Sequence, residues 1–316
     1  MLLLELGARA LDPWGLAYVF EHERFLLSMP SHPLYAYTAP PNSHEVYQGV
    51  SLAINRHGFR GPDFSMPKTS DRPRLVLLGD SVVLGWGVAW EQTLCPQLQR
   101  ALPDWEVVGL GVNSWNTRNQ SEYLRVHGSD LAADAMVWII VSNDVAPKIR
   151  GAHSVNPAEF LPIIKPTTPG RRAWQWLARR SYLAGGLQRQ LGVAELRQQL
   201  NWMYRPESAE ARDAADAFHL VVDYAQQRRI PLLGYLYFMH GERNSPLGRG
   251  FERLYGDLFQ AHHLEYRVFP EEIYRPGNLN SATDPHQNAR GLALMAEVIV
   301  QQFQQGGAHL PRKSAL

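Results

Sequence analysis

The sequence predicts an α/β protein, a three-layer α/β/α sandwich on a five-stranded parallel sheet, with a small N-terminal extension. Three observations lead there. From residue 74 onward, short apolar runs alternate with helical segments, the pattern that packs helices on both faces of a parallel sheet. The most strand-like run, Ala135-Met136-Val137-Trp138-Ile139-Ile140-Val141, is apolar throughout, as a strand buried on both faces must be. The run Arg74-Leu75-Val76-Leu77-Leu78 stops abruptly at Gly79-Asp80-Ser81, a tight turn just beyond a strand's carboxyl end.

The elements follow from the punctuation. Strands are expected at 74–79, 105–110, 135–142, 230–238 and 265–269. Helices are expected near 91–102, 117–128, 172–200, 208–229, 250–263 and 288–304. In the 208–229 segment, Ala211, Ala214, Phe218, Val221, Val222 and Ala225 form one apolar face, and Leu292, Met295, Ala296, Ile299 and Phe303 do so in the last. Residues 1–70, rich in Pro, His and Tyr, read as an extension with a few short strands. The main domain would run over 71–305, with a tail at 306–316 that shows no periodicity. Within it, 145–207 reads as a cap-like insertion, a proline-spaced stretch followed by Arg171-Arg172-Ala173-Trp174-Gln175-Trp176-Leu177-Ala178-Arg179-Arg180. Such an insertion after the third strand emerges on the rim where ligands bind. Its arginines and tryptophans fit a membrane-surface or anionic-glycan contact, but the commoner arrangement for such a pattern is a surface helix with its tryptophans packed inward and its arginines solvated.

Composition narrows the function. The chain has 316 residues, with 31 basic against 30 acidic side chains, which gives no electrostatic footprint for nucleic acid. The single cysteine, Cys95, excludes an intrachain disulfide framework and reads as a small buried residue. No stretch of 18 apolar residues occurs, so nothing in the sequence reads as a membrane span. There is no phosphate-binding loop, no dinucleotide glycine motif after the first strand, and no zinc-type spacing, so no cofactor and no metal are expected. His262 and His263 are adjacent on a helix and point apart, which argues against a shared metal.

Four polar groups fall at strand ends or helix starts. Ser81 follows the first strand. Ser114, in Gly109-Leu110-Gly111-Val112-Asn113-Ser114-Trp115, follows the second. Asn143 follows the third, in Ser142-Asn143-Asp144. Asp284 and His286 stand in Thr283-Asp284-Pro285-His286-Gln287-Asn288, directly before the last helix. Each has a plain alternative: an Asx turn at Gly79-Asp80-Ser81, a strand-ending turn at Asn143-Asp144, and a helix-start histidine beside an Asn288 cap. On one rim, however, they make the parts of a serine nucleophile site. A serine hydroxyl needs a base to accept its proton, and a neutral imidazole suits that near pH 7. An acid beside the imidazole fixes its tautomer, and an amide N–H nearby steadies a developing oxyanion. The Gly-x-Ser-x-Gly elbow of α/β-hydrolases is absent, since Val82-Val83 follow Ser81.

Over roughly residues 60–303 these motifs, in this order, resemble the SGNH hydrolases, the GDSL-type esterase superfamily, whose fold is the SGNH/flavodoxin-like sandwich. The lead-in Asn55-Arg56-His57-Gly58-Phe59-Arg60-Gly61-Pro62-Asp63 is similar to that of many bacterial members. The resemblance implies Ser81 as nucleophile, His286 as base and Asp284 as the third member. It implies the Ser81 N–H, an N–H in the second block, matched here by Ser114, and the Asn143 amide as oxyanion donors. Three positions depart from the pattern. Ser114 stands where a glycine usually supplies the N–H, and Ser142 replaces the glycine before the asparagine. Asp284 lies two residues before the histidine, where three is usual.

Trp86, Trp115, Tyr237 and His240 lie at predicted strand ends and suggest an aromatic wall for sugar rings or acyl chains, although core packing competes for about half of them. The reading that results is a metal-independent ester hydrolase that removes an O-acyl group, such as acetyl, from a carbohydrate or other small ester. Two alternatives share the site: an O-acyltransferase that passes the acyl group to a surface glycan, and a catalytically silent carbohydrate-binding protein. The opening Met1-Leu2-Leu3-Leu4-Glu5-Leu6 is too short for a signal peptide and lacks a basic start. By the resemblance it is compatible with the end of a lost N-terminal membrane anchor. The compartment stays open between cytoplasm and periplasm, as does the oligomeric state.

Overall fold

The computed structural model describes residues 2–146, 169–239 and 242–305. The extension opens with α1 (Leu2–Leu11) and α2 (Leu16–Ser28), then two antiparallel strand pairs, β1 (Ser31–His32) with β2 (Ala36–Tyr37) and β3 (His44–Tyr47) with β4 (Val50–Ala53). Only short strands were expected here. The two helices precede them, and α2 forms because Leu16, Val19, Glu23 and Leu26 recur at three- and four-residue spacings and bury one of its faces.

The main body then alternates strand and helix. In chain order these are β5 (Arg74–Gly79), α3 (Ser81–Leu84), α4 (Leu94–Ala101), β6 (Glu106–Gly111), α5 (Thr117–Leu131), β7 (Ala135–Val141), α6 (Pro169–Ala178), α7 (Tyr182–Met203), α8 (Ala209–Gln227), β8 (Leu232–Tyr237), α9 (Pro246–Ala261), β9 (Tyr266–Val268) and α10 (Ala289–Gln305). The sheet runs β6-β5-β7-β8-β9, with every pairing parallel. Relabelled from its first strand, this is the order 2-1-3-4-5 of flavodoxin-like sheets.

Alternation along the strands splits the core in two. Val76, Leu78, Met136, Trp138 and Ile140 face α5, α8 and α9 through Leu124, Phe218, Val222 and Phe259. Leu75, Leu77, Val137 and Ile139 face α4 and α10 through Leu98, Leu292, Met295 and Ile299. Phe25, Tyr37, Tyr47 and Phe59 of the extension join the first of these layers.

Where elements differ from the sequence reading, local chemistry explains it. The long helix expected over 172–200 is two. The Arg180 and Ser181 N–H groups both bond Leu177 O at 2.9 Å and close α6, and the Ser181 hydroxyl then accepts from Ala184 N at 3.2 Å to start α7. Helix α9 begins at Pro246 rather than 250, with Ser245 capping Gly248 N at 3.1 Å and proline in the first turn. The proline-spaced stretch between β7 and α6 lies almost wholly outside the described residues, as do His240 and the tail. No described helix is long and apolar enough to cross a membrane.

Candidate active site

The switch point of this sheet, where the strand order reverses, lies between β5 and β7, and crevices at such points bind ligands. Ser81 follows β5 and Asn143 follows β7, so both stand at its rim. Asp80 opens the short α3: its Oδ1 accepts Val82 N at 2.9 Å, which holds Ser81 at the first position of the helix. Gly111 ends the neighbouring β6, and a Cβ on it would stand 2.4 Å from Leu84 N. The second strand can therefore pass close to the helix that carries Ser81 only with glycine there.

The histidine comes from the loop before α10. His286 Nε2 lies 2.8 Å from Ser81 Oγ, and His286 Nδ1 lies 2.7 Å from Asp284 Oδ1. The two-residue spacing between acid and imidazole works because one carboxylate oxygen receives both the ring Nδ1–H and the His286 backbone N–H, the latter at 3.0 Å. The other oxygen accepts the Asn280 side-chain amide at 3.2 Å. Asn288 Oδ1 caps α10 through Arg290 N and Gly291 N, so the cap is a separate residue from the acid.

Burial and charge act in opposite senses on this pair. Burial disfavours the imidazolium, but the Asp284 charge, its hydrogen bond and the Asp80 charge together raise the His286 pKa above its ordinary value. Burial likewise opposes ionisation of Asp284, and the His286 charge and the bonds from His286 and Asn280 outweigh it, lowering the Asp284 pKa. Asp80, whose Oδ2 lies 3.3 Å from Ser81 Oγ, is pushed up to about 6 by burial.

A cavity of about 70 Å³ lies over Ser81. Asn143, Ser114, Val141, Tyr237, Met239 and His286 line it, and so do Tyr18 and His22 of α2. The Asn143 Oδ1 is buried without a hydrogen-bond partner. Ser114 adopts φ 61°, the left-handed region that glycine enters freely, so the missing glycine leaves its backbone geometry in place at a strain cost. The Ser81 and Ser114 N–H groups make no hydrogen bond among the described residues. Ser142, the other replaced glycine, points its hydroxyl elsewhere: Oγ donates to Glu242 and accepts from Met239 N.

Of the expected aromatic wall, only Tyr237 is placed on the cavity, its hydroxyl donating to Gln287 Oε1 at 2.6 Å. Trp86 and Trp115 are both core residues, 1 % exposed. Trp86 packs under His22, edge to face at 5.2 Å, and against Phe25 and Tyr47. Trp115 donates its Nε1–H to Tyr37 O at 2.8 Å. His240 lies outside the described residues.

Tyr18 and His22 are the residues that the sequence reading missed. Their four-residue spacing puts them on one face of α2, rings 5.8 Å apart, with Tyr18 tilted 5.9 Å from the His286 ring. Burial, with the His286 charge, pushes the His22 pKa down to about 3, so His22 is a neutral imidazole at working pH. Burial first, and then the Asp284 charge, keeps the Tyr18 phenol protonated. No group of three His, Cys, Asp or Glu among the described residues could hold a metal ion.

No protein-family model matches the chain, and no curated protein matches it. Solved structures do. An acetyl xylan esterase is similar at 11 % identity and TM-score 0.45, over 72 % of this chain and 98 % of that one. A lipase/acylhydrolase from Enterococcus faecalis matches at 14 % identity and TM-score 0.43, over 77 % and 100 %. A GDSL-like lipase from Bacteroides thetaiotaomicron matches at 12 % identity and TM-score 0.43, over 74 % and 89 %.

Proposed function

We propose that the chain is a serine-dependent ester hydrolase that removes a small O-acyl group, acetyl being the best fit, from a carbohydrate or similar small alcohol. The observation that carries this is the unbroken chain of contacts from Asp284 Oδ1 through the His286 ring to Ser81 Oγ, at 2.7 and 2.8 Å. Ser81 Oγ attacks the ester carbonyl carbon as its proton passes to His286 Nε2. The resulting oxyanion takes hydrogen bonds from the Ser81 and Ser114 N–H groups and the Asn143 amide. Collapse releases the alcohol, which takes the proton from His286, and leaves acyl-Ser81. Water, deprotonated by the same imidazole, then repeats the sequence to free the acid.

The cavity supports a short acyl group. About 70 Å³ is small beside the about 300–1,000 Å³ of drug-sized ligand sites, which suits acetyl better than a fatty chain while Tyr18 and His22 stay in place. The test is hydrolysis of p-nitrophenyl acetate and its longer homologues, with labelling by a fluorophosphonate. Ser81→Ala should lose activity by roughly 10⁶-fold, as serine hydrolases do without their nucleophile. Equal rates for parent and variant, or no label on Ser81, would remove the proposal. Addition of an oligosaccharide acceptor separates hydrolysis from acyl transfer, since a hydrolase sends the acyl group to water at every acceptor concentration.

A further inference from the structure

A second cleft, of about 460 Å³, adjoins the Ser81 cavity and shares Met239 and Pro285 with it. That volume is in the range of small-ligand sites, about 300–1,000 Å³. Its distinctive side chains come from outside the sheet: Trp14 from the turn before α2 and Arg189 from α7. The Trp14 ring lies against α7 at Gly186, where a Cβ would stand 2.2 Å from it, so the seat requires glycine.

Arg189 Nη1 donates to Gly15 O at 2.7 Å and Nη2 to Thr283 O at 3.2 Å. These bonds pin the guanidinium against the loop that carries Asp284, and they use two of its five N–H donors. The carboxylates around it are engaged elsewhere. Asp12 caps Leu16 N and Ala17 N, Asp284 holds His286, and Glu242, which also lines the cleft, takes the Ser142 hydroxyl. A half-buried guanidinium with donors to spare and no ion pair among the described residues is suited to an anion, which it can grip by two parallel hydrogen bonds.

We infer that this cleft receives the alcohol half of the substrate, and that Arg189 binds a carboxylate or phosphate on a ring that lies over Trp14. The hydrolase reading decides only which half of an ester sits there. Binding is therefore measured on Ser81→Ala protein, where turnover does not enter, by ligand-observed NMR titration of methyl glucuronide, glucose 6-phosphate and methyl glucoside. One of the two anions should bind roughly tenfold more tightly than the neutral glucoside, a factor modest for a charge-assisted pair. The carboxylate and phosphate arms show which anion is meant.

Arg189→Gln should bring the ratio of anionic to neutral affinity close to one. Arg189→Lys should keep part of it, and Trp14→Ala should weaken all three ligands while keeping it. Equal affinities in the Ser81→Ala parent, or a ratio unmoved by Arg189→Gln, overturns the inference. An anion preference without any ester turnover in the wild type would instead sink the hydrolase reading and leave the cleft standing.

Discussion

The rim of the sheet and the wall that α2 lays over it are built in different ways. Rim residues stand directly at the ends of strands or in the tight loop before α10, where bonds between near neighbours, such as Asp80 to Val82 N and Asp284 to His286, shape the turns. The wall residues Tyr18 and His22 are placed by long-range packing. Trp86 lies beneath His22, and α2 is seated through Phe25 and Leu26 in the core. The comparison teaches that the groups proposed to react are specified locally, whereas the size of the space beside them is specified by a helix more than fifty residues earlier in the chain.

The sharpest way to break that contrast is Asp284→Asn. If the rim works as built, the amide leaves the His286 ring in place but supports the wrong tautomer. Turnover then falls by up to ~10⁴-fold while the melting temperature holds. Near-normal kcat with lowered stability would make Asp284 a turn residue, and the rim's third member would have to be sought elsewhere.

The same contrast explains what was legible. Ser81, Asn143 and His286 stand in patterns that a single stretch of sequence displays: an apolar run, a turn, a polar group. Asp284 was legible as the nearest acid, and only coordinates could show one carboxylate oxygen serving both ring and backbone of the same histidine. Trp86 and Trp115 misled because position at a strand end does not reveal which way a ring turns, and both turn into the core. Helix α2 escaped notice because its buried face includes His22 and Glu23, polar residues that blur the apolar period. For the cavity wall, the signal was a Tyr and a His four residues apart.

The wall itself is tested by Tyr18→Ala. The loss of the phenol should open the 70 Å³ cavity, so the ratio of kcat/KM for butyrate over acetate esters should rise by about tenfold, the worth of one or two methylenes in an apolar pocket. An unchanged ratio would show that α2 does not set acyl length.

His22 supplies a smaller effect, read in stability. Its folded pKa, about 3, lies below the ordinary value of 6.5, so the unfolded chain binds the extra proton between those limits. Stability from His22 is therefore full above pH 6.5 and is lost as pH falls toward 3, by about 1.4 kcal/mol for each unit well inside that window. Asp80, raised to about 6 by burial, pulls the other way as its carboxyl takes up a proton in the folded state. The parent curve is thus a sum, and the difference between parent and His22→Phe isolates the imidazole. In urea unfolding at pH 5 and pH 7, His22→Phe should lose less stability on acidification than the parent. A parallel pair of curves would mean that His22 is protonated in the folded protein.

The smallest effect belongs to the rim. Ser114 holds φ 61° where a side chain is strained, by about 1–2 kcal/mol on steric grounds. Glycine relieves that strain but gives the unfolded chain more freedom, worth roughly 0.5–1 kcal/mol in the opposite sense. Ser114→Gly should therefore stabilise the protein by about 0.5–1 kcal/mol, read as the midpoint of urea unfolding. Because the proposed donor is the backbone N–H, kcat with p-nitrophenyl acetate should stay within about twofold of the parent, far from the ~10²–10³ lost with an oxyanion donor. A large fall in kcat would show that the hydroxyl of Ser114, and not its backbone alone, faces the reacting ester. The second block would then differ in chemistry, and not only in strain, from the glycine that its pattern leads one to expect.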